Sequence, residues 1–275
     1  MGSVSDQESE QVLLEQVLDS FDESANPRLV EVVRAAVRHL HAFVEETGLT
    51  REEWMTGIEF LTDTGKKSVD SRQEFILLSD TLGVSMLVEI VNQMATDVAT
   101  DATVLGPFYV PDAPLMEMNA FIGREGDDVA PLTLAGTVRS AKGGVLEGAV
   151  IEVWQVAPNG LYDVQDAKGV FPNFRATFRT GADGTFSLRT SRPIDYQIPT
   201  DGPVGTMLKA TGRDSWRAAH THFRVSCDGY KTVVTHVFDA SSPRLHSDAV
   251  FGVRESLVVD MSGLTATFDV TLDEV

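Results

Sequence analysis

Two histidines separated by one residue, His220-Thr221-His222, lie in the run RAAHTHFRVS, where apolar Phe223 and Val225 alternate with polar positions as on a half-buried strand. Side chains two apart on a strand share a face, so both imidazoles point the same way. Imidazole ligates zinc, copper, iron or nickel, and the pair alone does not choose among them. Two tyrosines narrow the choice. Tyr162 lies in NGLYDV, just after the apolar run AVIEVWQV, and Tyr196 lies in RPIDYQIPTDGPVG, a Pro- and Gly-rich stretch expected to be mostly loop. A phenol with an ordinary pKa of about 10 loses its proton at neutral pH only beside a strong positive charge, such as a trivalent metal. Two tyrosinates and two neutral histidines would leave a ferric ion with one net positive charge, which a hydroxide could neutralise. The competing reading is a polar strand face carrying a hydrogen-bonded His pair and packing tyrosines. Spacing alone does not separate the two.

Holding four such groups together requires a scaffold, and the chain changes character along its length. From Asn26-Pro27 the apolar positions Leu29, Val33, Ala36, Leu40 and Phe43 step by three or four, an amphipathic helix ended at Thr47-Gly48. Thr50 and Glu53 form a capping-box pattern ahead of Trp54, Ile58 and Leu61, and Ser71 with Glu74 repeats it ahead of an apolar stretch ending near Met94. Stripes this broad exceed what one helix pair can bury, and the helices are expected either to cap the sheet domain or to place part of their surface at a subunit interface. Residues 102–130 are rich in Gly and Pro and read as a linker between a helical domain, 1–101, and a second domain, 131–275. After Pro131 the pattern turns to period two. LTLAGTVRS, GAVIEVWQV, FRATFRT, TFSLRT, HTHFRVS, KTVVTHVF, ESLVVD and TATFDVTL are short, β-branched or aromatic, and separated by turns such as Lys142-Gly143-Gly144. The expected fold class is α+β, an antiparallel β-sandwich with an N-terminal helical domain.

Composition sets outer limits. The 275 residues are 43% hydrophobic and 23% charged, as in soluble globular proteins. Runs of about 18 apolar residues are absent, and MGSVSDQESEQ lacks a basic segment followed by an apolar one, so a cytoplasmic protein is expected. A single cysteine, Cys227, excludes an internal disulfide framework and any thiolate cluster. The net charge of −19, from 41 acids against 22 bases, disfavours nucleic acid or an anionic membrane as partner. A neutral small molecule is the easier guest.

From about Glu53 to about Val259 the chain resembles the intradiol ring-cleavage dioxygenases, ferric enzymes that open catechols between their two hydroxyls. The resemblance is carried by RQEFILLSDTLGVSMLVE, TVLGPFYV, GAVIEVWQ, APNGLYDVQ, DYQIPTDGPVG, RAAHTHF and SDAVFGVRESLV. Of these, YQIPTDGPVG, THVF and SDAVFGV look most like the hydroxyquinol-cleaving branch. The resemblance implies one Fe(III) per chain, with Tyr162 and His220 as equatorial ligands and Tyr196 and His222 as axial ones. It also implies a homodimer joined through N-terminal helices, and an aromatic diol or triol and O2 as reactants. Tyr196 then serves as ligand and base together, taking a proton from the substrate as it leaves the metal.

Other positions follow from the same resemblance. Arg217 falls where the family keeps an arginine beside the substrate, placed to stabilise charge developing on the ring. His236 stands where catechol-type members have Gln, and either side chain can donate to an oxygen of the reacting substrate. The substrate walls would be Leu77, Asp80, Val104, Leu105, Gly106, Pro107, Phe108, Ile198, Pro199 and Val250 with Arg217, mostly apolar as a flat guest requires. Asp80 is the polar exception, able to accept a hydrogen bond from an extra hydroxyl. RAAHTH departs from the usual R-P-A-H-x-H by losing a proline at Ala218. Catechol or chlorocatechol cleavage is the nearest alternative. A metal-free prealbumin-like binding module is the remote one, since such a module needs neither Tyr196 nor the histidine pair.

Overall fold

Capping chemistry builds the N-terminal helices as the sequence predicts. Asn26 accepts a hydrogen bond from the Leu29 N–H at the start of α2, Pro27–Thr47, and Gly48 ends it in the left-handed conformation. At the start of α3, Arg51–Lys67, the Thr50 N–H donates to the Glu53 carboxylate and the Glu53 N–H to the Thr50 hydroxyl, the expected capping box. With α1, Val4–Asp19, these helices come from a computed structural model that describes residues 4–21, 26–69, 72–93, 98–127, 129–167, 169 and 171–275. Ser71 and Met94, used above to bound the next helices, lie outside the described residues. Helices α4, Glu74–Thr81, and α5, Val84–Asn92, follow. The chain divides into two compact units, Met1–Leu61 and Thr62–Val275, so α4 and α5 fall with the sheets, whereas composition drew the boundary after Asp101. Among the described residues no helix is long and apolar enough to cross a membrane.

The second unit holds a four-stranded and a five-stranded sheet. In the first, β1 (Pro131–Ser140) pairs antiparallel with β4 (Thr185–Ser191) and parallel with β10 (Thr265–Thr267) and β11 (Val270–Leu272). In the second the order is β3 (Arg175–Arg179), β2 (Val150–Gln155), β7 (His220–Ser226), β8 (Val233–Asp239) and β9 (Val258–Val259). Phe223 of β7 meets Phe186 of β4 at a ring distance of 6.0 Å, and Leu134, Val138, Leu188, Ile151, Val153 and Val225 complete one apolar core between the sheets. The sandwich is therefore as predicted, but its edges are not purely antiparallel. Strand β9 reaches β8 by a long connection instead of a hairpin, and β10 and β11 lie far along the chain from their partner β1, which permits parallel pairing. TATFDVTL breaks into two strands because the Phe268 carbonyl crosses over Gly136, where a Cβ would lie 1.8 Å from that oxygen.

Two segments read as loop or linker have definite roles. IPTDGPVG was expected to be loop, yet α6, Pro203–Ala210, starts at its proline, the residue type that suits a first helical turn. Just before it, β5 (Tyr196–Gln197) pairs with β6 (Trp216–Arg217), setting Tyr196 opposite Arg217. The linker carries no strand of three residues or more, but its backbone is tied to the sandwich. Thr103 N–H donates to Val234 O, Met116 N–H to Thr177 O and Ile122 N–H to Arg189 O.

Candidate active site

Period two sorts the five-stranded sheet into two chemistries. Val153, Phe223 and Val237 point into the core, so Trp154, His222 and His236 project from the opposite face, and they are register partners on β2, β7 and β8. The Trp154 and His222 rings stack at 4.6 Å, and those of His222 and His236 lie 4.0 Å apart. His220 stands two residues from His222 on the same face. Its Nδ1 donates to the Ala218 carbonyl at 2.6 Å, which makes Nε2, 3.1 Å from His222 Nε2, the nitrogen with the lone pair. The Tyr162 hydroxyl is 3.0 Å from His222 Nε2 and 3.1 Å from the Tyr196 hydroxyl. Four donor atoms from three different segments thus meet in one chain of contacts, all on side chains no more than 5% exposed.

Burial decides the protonation states. It lowers His220, His222 and His236 well below the ordinary histidine value, with the Arg217 charge adding to the effect, so the three rings are neutral at pH 7. Burial also raises both phenols, and Tyr162 is raised further by Tyr196 beside it. Neutral imidazoles with converging lone pairs, next to phenols that ionise only against a cation, are a metal-ready set. Metal–nitrogen bonds of about 2.0–2.1 Å place neighbouring donors about 3 Å apart, as these are.

Arg217 lies against this set. For its guanidinium, burial works against the charge, but the Asp248 carboxylate and then Tyr196 outweigh it and raise the pKa. Nη1 is 3.3 Å from His220 Nε2 and 3.4 Å from His236 Nε2. A guanidinium can only donate, so His236 accepts at Nε2 and its Nδ1–H is directed to Thr103 Oγ1.

Known proteins carry the same arrangement of sequence. A family model described as dioxygenase matches residues 104–273, and one described as the catechol dioxygenase N terminus matches 26–100. The chain belongs to the intradiol ring-cleavage dioxygenases. It is 47% identical to hydroxyquinol 1,2-dioxygenase of Nocardioides simplex over 93% of this chain and 87% of that one. The corresponding enzyme of a Rhizobium species is 46% identical over 90% and 83%. A solved hydroxyquinol 1,2-dioxygenase from Pseudomonas putida superposes with a TM-score of 0.89 at 42% identity, covering 98% of this chain and 100% of that one.

In this dioxygenase the residues expected to wall the substrate differ in their surroundings. Phe108 stacks on Tyr162 at 4.7 Å and Gly106 packs on His222, where a Cβ would lie 3.4 Å from Cε1. Gly106 has a φ of +75°, so glycine serves there twice, for the backbone and for the close approach. Phe108, Ile198 and Pro199 line an open groove of about 710 Å³. Val104 and Val250 cluster with Met86, and Leu77 and Asp80 are buried on α4. Burial raises the Asp80 carboxyl, and one of its oxygens has no hydrogen-bond partner. Leu105 is 38% exposed and Pro107 half-buried.

Four side chains were missed by the sequence reading. Trp154 and Thr103 touch the histidines directly. Arg175 forms a buried ion pair with Asp163, beside Tyr162, and also donates to the Phe108 carbonyl, which ties the two stacked rings together. Asp248 pairs with Arg217 across 31 positions of sequence. Its only local signal was an acid inside the resembling run SDAVFGV.

Proposed function

We propose that this dioxygenase holds one ferric ion on Tyr162, Tyr196, His220 and His222 and opens hydroxyquinol, benzene-1,2,4-triol, with O2. The observation that carries the reading is the meeting of four buried donor atoms at contacts of 3.0–3.1 Å. When bound, the ion supplies the positive charge that allows phenols to ionise and the redox capacity for O2 chemistry. The net change breaks the ring bond between the adjacent hydroxyl-bearing carbons and places both atoms of O2 in the product, 3-hydroxy-cis,cis-muconate, the tautomer of maleylacetate. Relatives of the same name at 46% and 47% identity support this substrate.

The protein's own groups supply position and proton handling. Ionised beside the ion, Tyr196 would accept a substrate hydroxyl proton at its phenolate oxygen, which gives it the role of general base. Arg217, charged and fixed, stabilises negative charge gathering on the ring. His236, an Nδ1–H tautomer against Thr103, presents Nε2 toward the same space. Phe108, Val104, Ile198 and Val250 exclude water from the flat guest. Asp80 accepts a hydrogen bond from the third hydroxyl, and a site built around such a bond rejects analogues that lack it. The exposed apolar stripe of α2 and α3, including Leu40, Phe43, Trp54 and Ile58, supports a homodimer joined through these helices.

Metal analysis with a visible spectrum tests the first part. About one iron per chain and a tyrosinate-to-iron band are expected, and a colourless protein that gains no band on iron loading refutes the ligand set. Oxygen uptake with hydroxyquinol, catechol and 4-chlorocatechol, corrected for autoxidation, tests the second. Hydroxyquinol should be fastest, and a preference for the chlorocatechol would move the enzyme to that branch. Asp80→Leu should reduce the preference for the triol, and an unchanged ratio would remove Asp80 from the explanation.

A further inference from the structure

We infer that Asp248 is a positioning residue of this site, acting through Arg217. Its carboxylate accepts four N–H groups: Arg217 Nε at 3.0 Å, Arg217 Nη2 at 3.3 Å, Ala218 N at 3.3 Å and Gly252 N at 2.9 Å. An ionised carboxylate offers about four acceptor sites, so this one is saturated. Both members of the ion pair are buried, Asp248 at 6% and Arg217 at 3% exposure. The fork-to-fork contact leaves Nη1 as the guanidinium nitrogen aimed at His220 and His236.

The same carboxylate joins three parts of the site. Through Arg217 it steadies β6, whose partner in register is Tyr196. Through Ala218 it holds the residue whose carbonyl fixes the His220 tautomer. Through Gly252 it closes a turn around Val250, part of the proposed substrate wall. Of the three contacts, only the one to Arg217 pairs two charges; the other two are ordinary backbone hydrogen bonds. Removing its charge should therefore mis-aim Arg217 without removing a metal donor.

The inference rests on the reading that Arg217 stabilises charge on the reacting ring, and the test keeps the two apart. Asp248→Asn retains the shape and one acceptor oxygen but loses the charge. Its kcat should fall at least about tenfold, part of the 10² to 10³ expected when a preorganised charge stabiliser is lost outright. Iron content, the visible band and the KM for hydroxyquinol should stay near parent values, as expected for an interaction that counts only in the transition state. A parent-like kcat overturns the inference.

A double-mutant cycle shows whether Asp248 acts through Arg217. Arg217→Gln/Asp248→Asn should be no slower than Arg217→Gln alone, and a fully multiplicative loss overturns the inference. Gly252→Ala covers the case in which Asp248→Asn does not fold. A Cβ there would sit 3.0 Å from Arg217 Nη2 and 3.3 Å from Asp248 Oδ2, displacing the pair without changing charge. Its kcat should fall several-fold with the fold and iron content intact, and an unchanged kcat counts against the inference. If Arg217→Gln itself turns over at the parent rate, it is the assignment of Arg217 that fails, before Asp248 is judged.

Discussion

Strands β2, β7 and β8 have two buried faces, and the two are buried by different means. The inner face, with Val153, Phe223 and Val237, is closed by the second sheet and filled with hydrocarbon. The outer face, with Trp154, His222 and His236, is closed by loops and carries nitrogen and oxygen atoms that fit a metal. Alternate residues of the same strands therefore answer to different demands. Inner positions pack hydrocarbon, while the polar outer positions are kept in place by hydrogen bonds, stacking and the ion pairs around them.

The comparison can be broken most directly by one substitution on each face. Phe223 is fully buried and meets both Phe186 and Phe268, so Phe223→Ala should cost about 3–5 kcal/mol of stability. His222→Ala, one residue away, should abolish retention of iron and all turnover while the chain still melts cooperatively. Urea melts with metal analysis of both variants check this. If His222→Ala unfolds the protein as severely as Phe223→Ala, the outer face is part of the core in energetic terms.

Arg217→Ala is expected to come next in size. It should lower kcat by about 10² to 10³ while leaving the visible band in place, because Arg217 faces the imidazoles but supplies no metal donor. Turnover at the parent rate would remove its role.

A pH effect should mark the outer face alone. Burial depresses His220, His222 and His236 in the folded protein, so below the unfolded value of about 6.5 the unfolded chain binds protons that the folded one does not. Stability of the metal-free protein is thus fully present above about pH 6.5 and falls as pH drops. Each histidine contributes up to about 1.4 kcal/mol per pH unit. Urea melts of metal-free protein at stepped pH should show the slope, and His236→Gln should reduce it by about a third if the three share it equally. A pH-independent midpoint between 7.5 and 5.5 would contradict the neutral buried cluster.

The shared face of the two histidines was legible because strand periodicity is a local property, whereas the grouping of Tyr162 and Tyr196 with them came from the family resemblance. His220 and His222 share a face by period two, and the Thr50–Glu53 cap reads directly from four residues. What the sequence concealed was long-range. Nothing near Asp248 marks it as the partner of Arg217, nothing near Trp154 says that it stacks on an imidazole, and α6 was hidden by the proline that starts it. The break between β10 and β11 depends on Gly136, more than a hundred residues earlier. Tertiary contacts of this kind leave no periodic trace in the chain.

The smallest expected effect separates the two histidines themselves. His220 is oriented by a hydrogen bond from Nδ1 to the Ala218 carbonyl, whereas His222 Nδ1 has no partner among the described residues and its ring is held by packing. Trp154 covers one face, stacked at 4.6 Å and 14°, and Gly106 approaches Cε1. Ring stacking contributes about 0.5–1.5 kcal/mol beyond area burial, so losing it should release iron about two- to tenfold faster. Trp154→Leu should show this as faster bleaching of the visible band under a chelator, and Trp154→Phe, which keeps an aromatic ring, should recover most of it. The band of the loaded Trp154→Leu protein should also shift, since His222 is free to rotate. If Trp154→Leu loses iron at the parent rate with an unshifted band, the metal alone orients His222, and the outer face needs less support from its neighbours than the stacked geometry indicates.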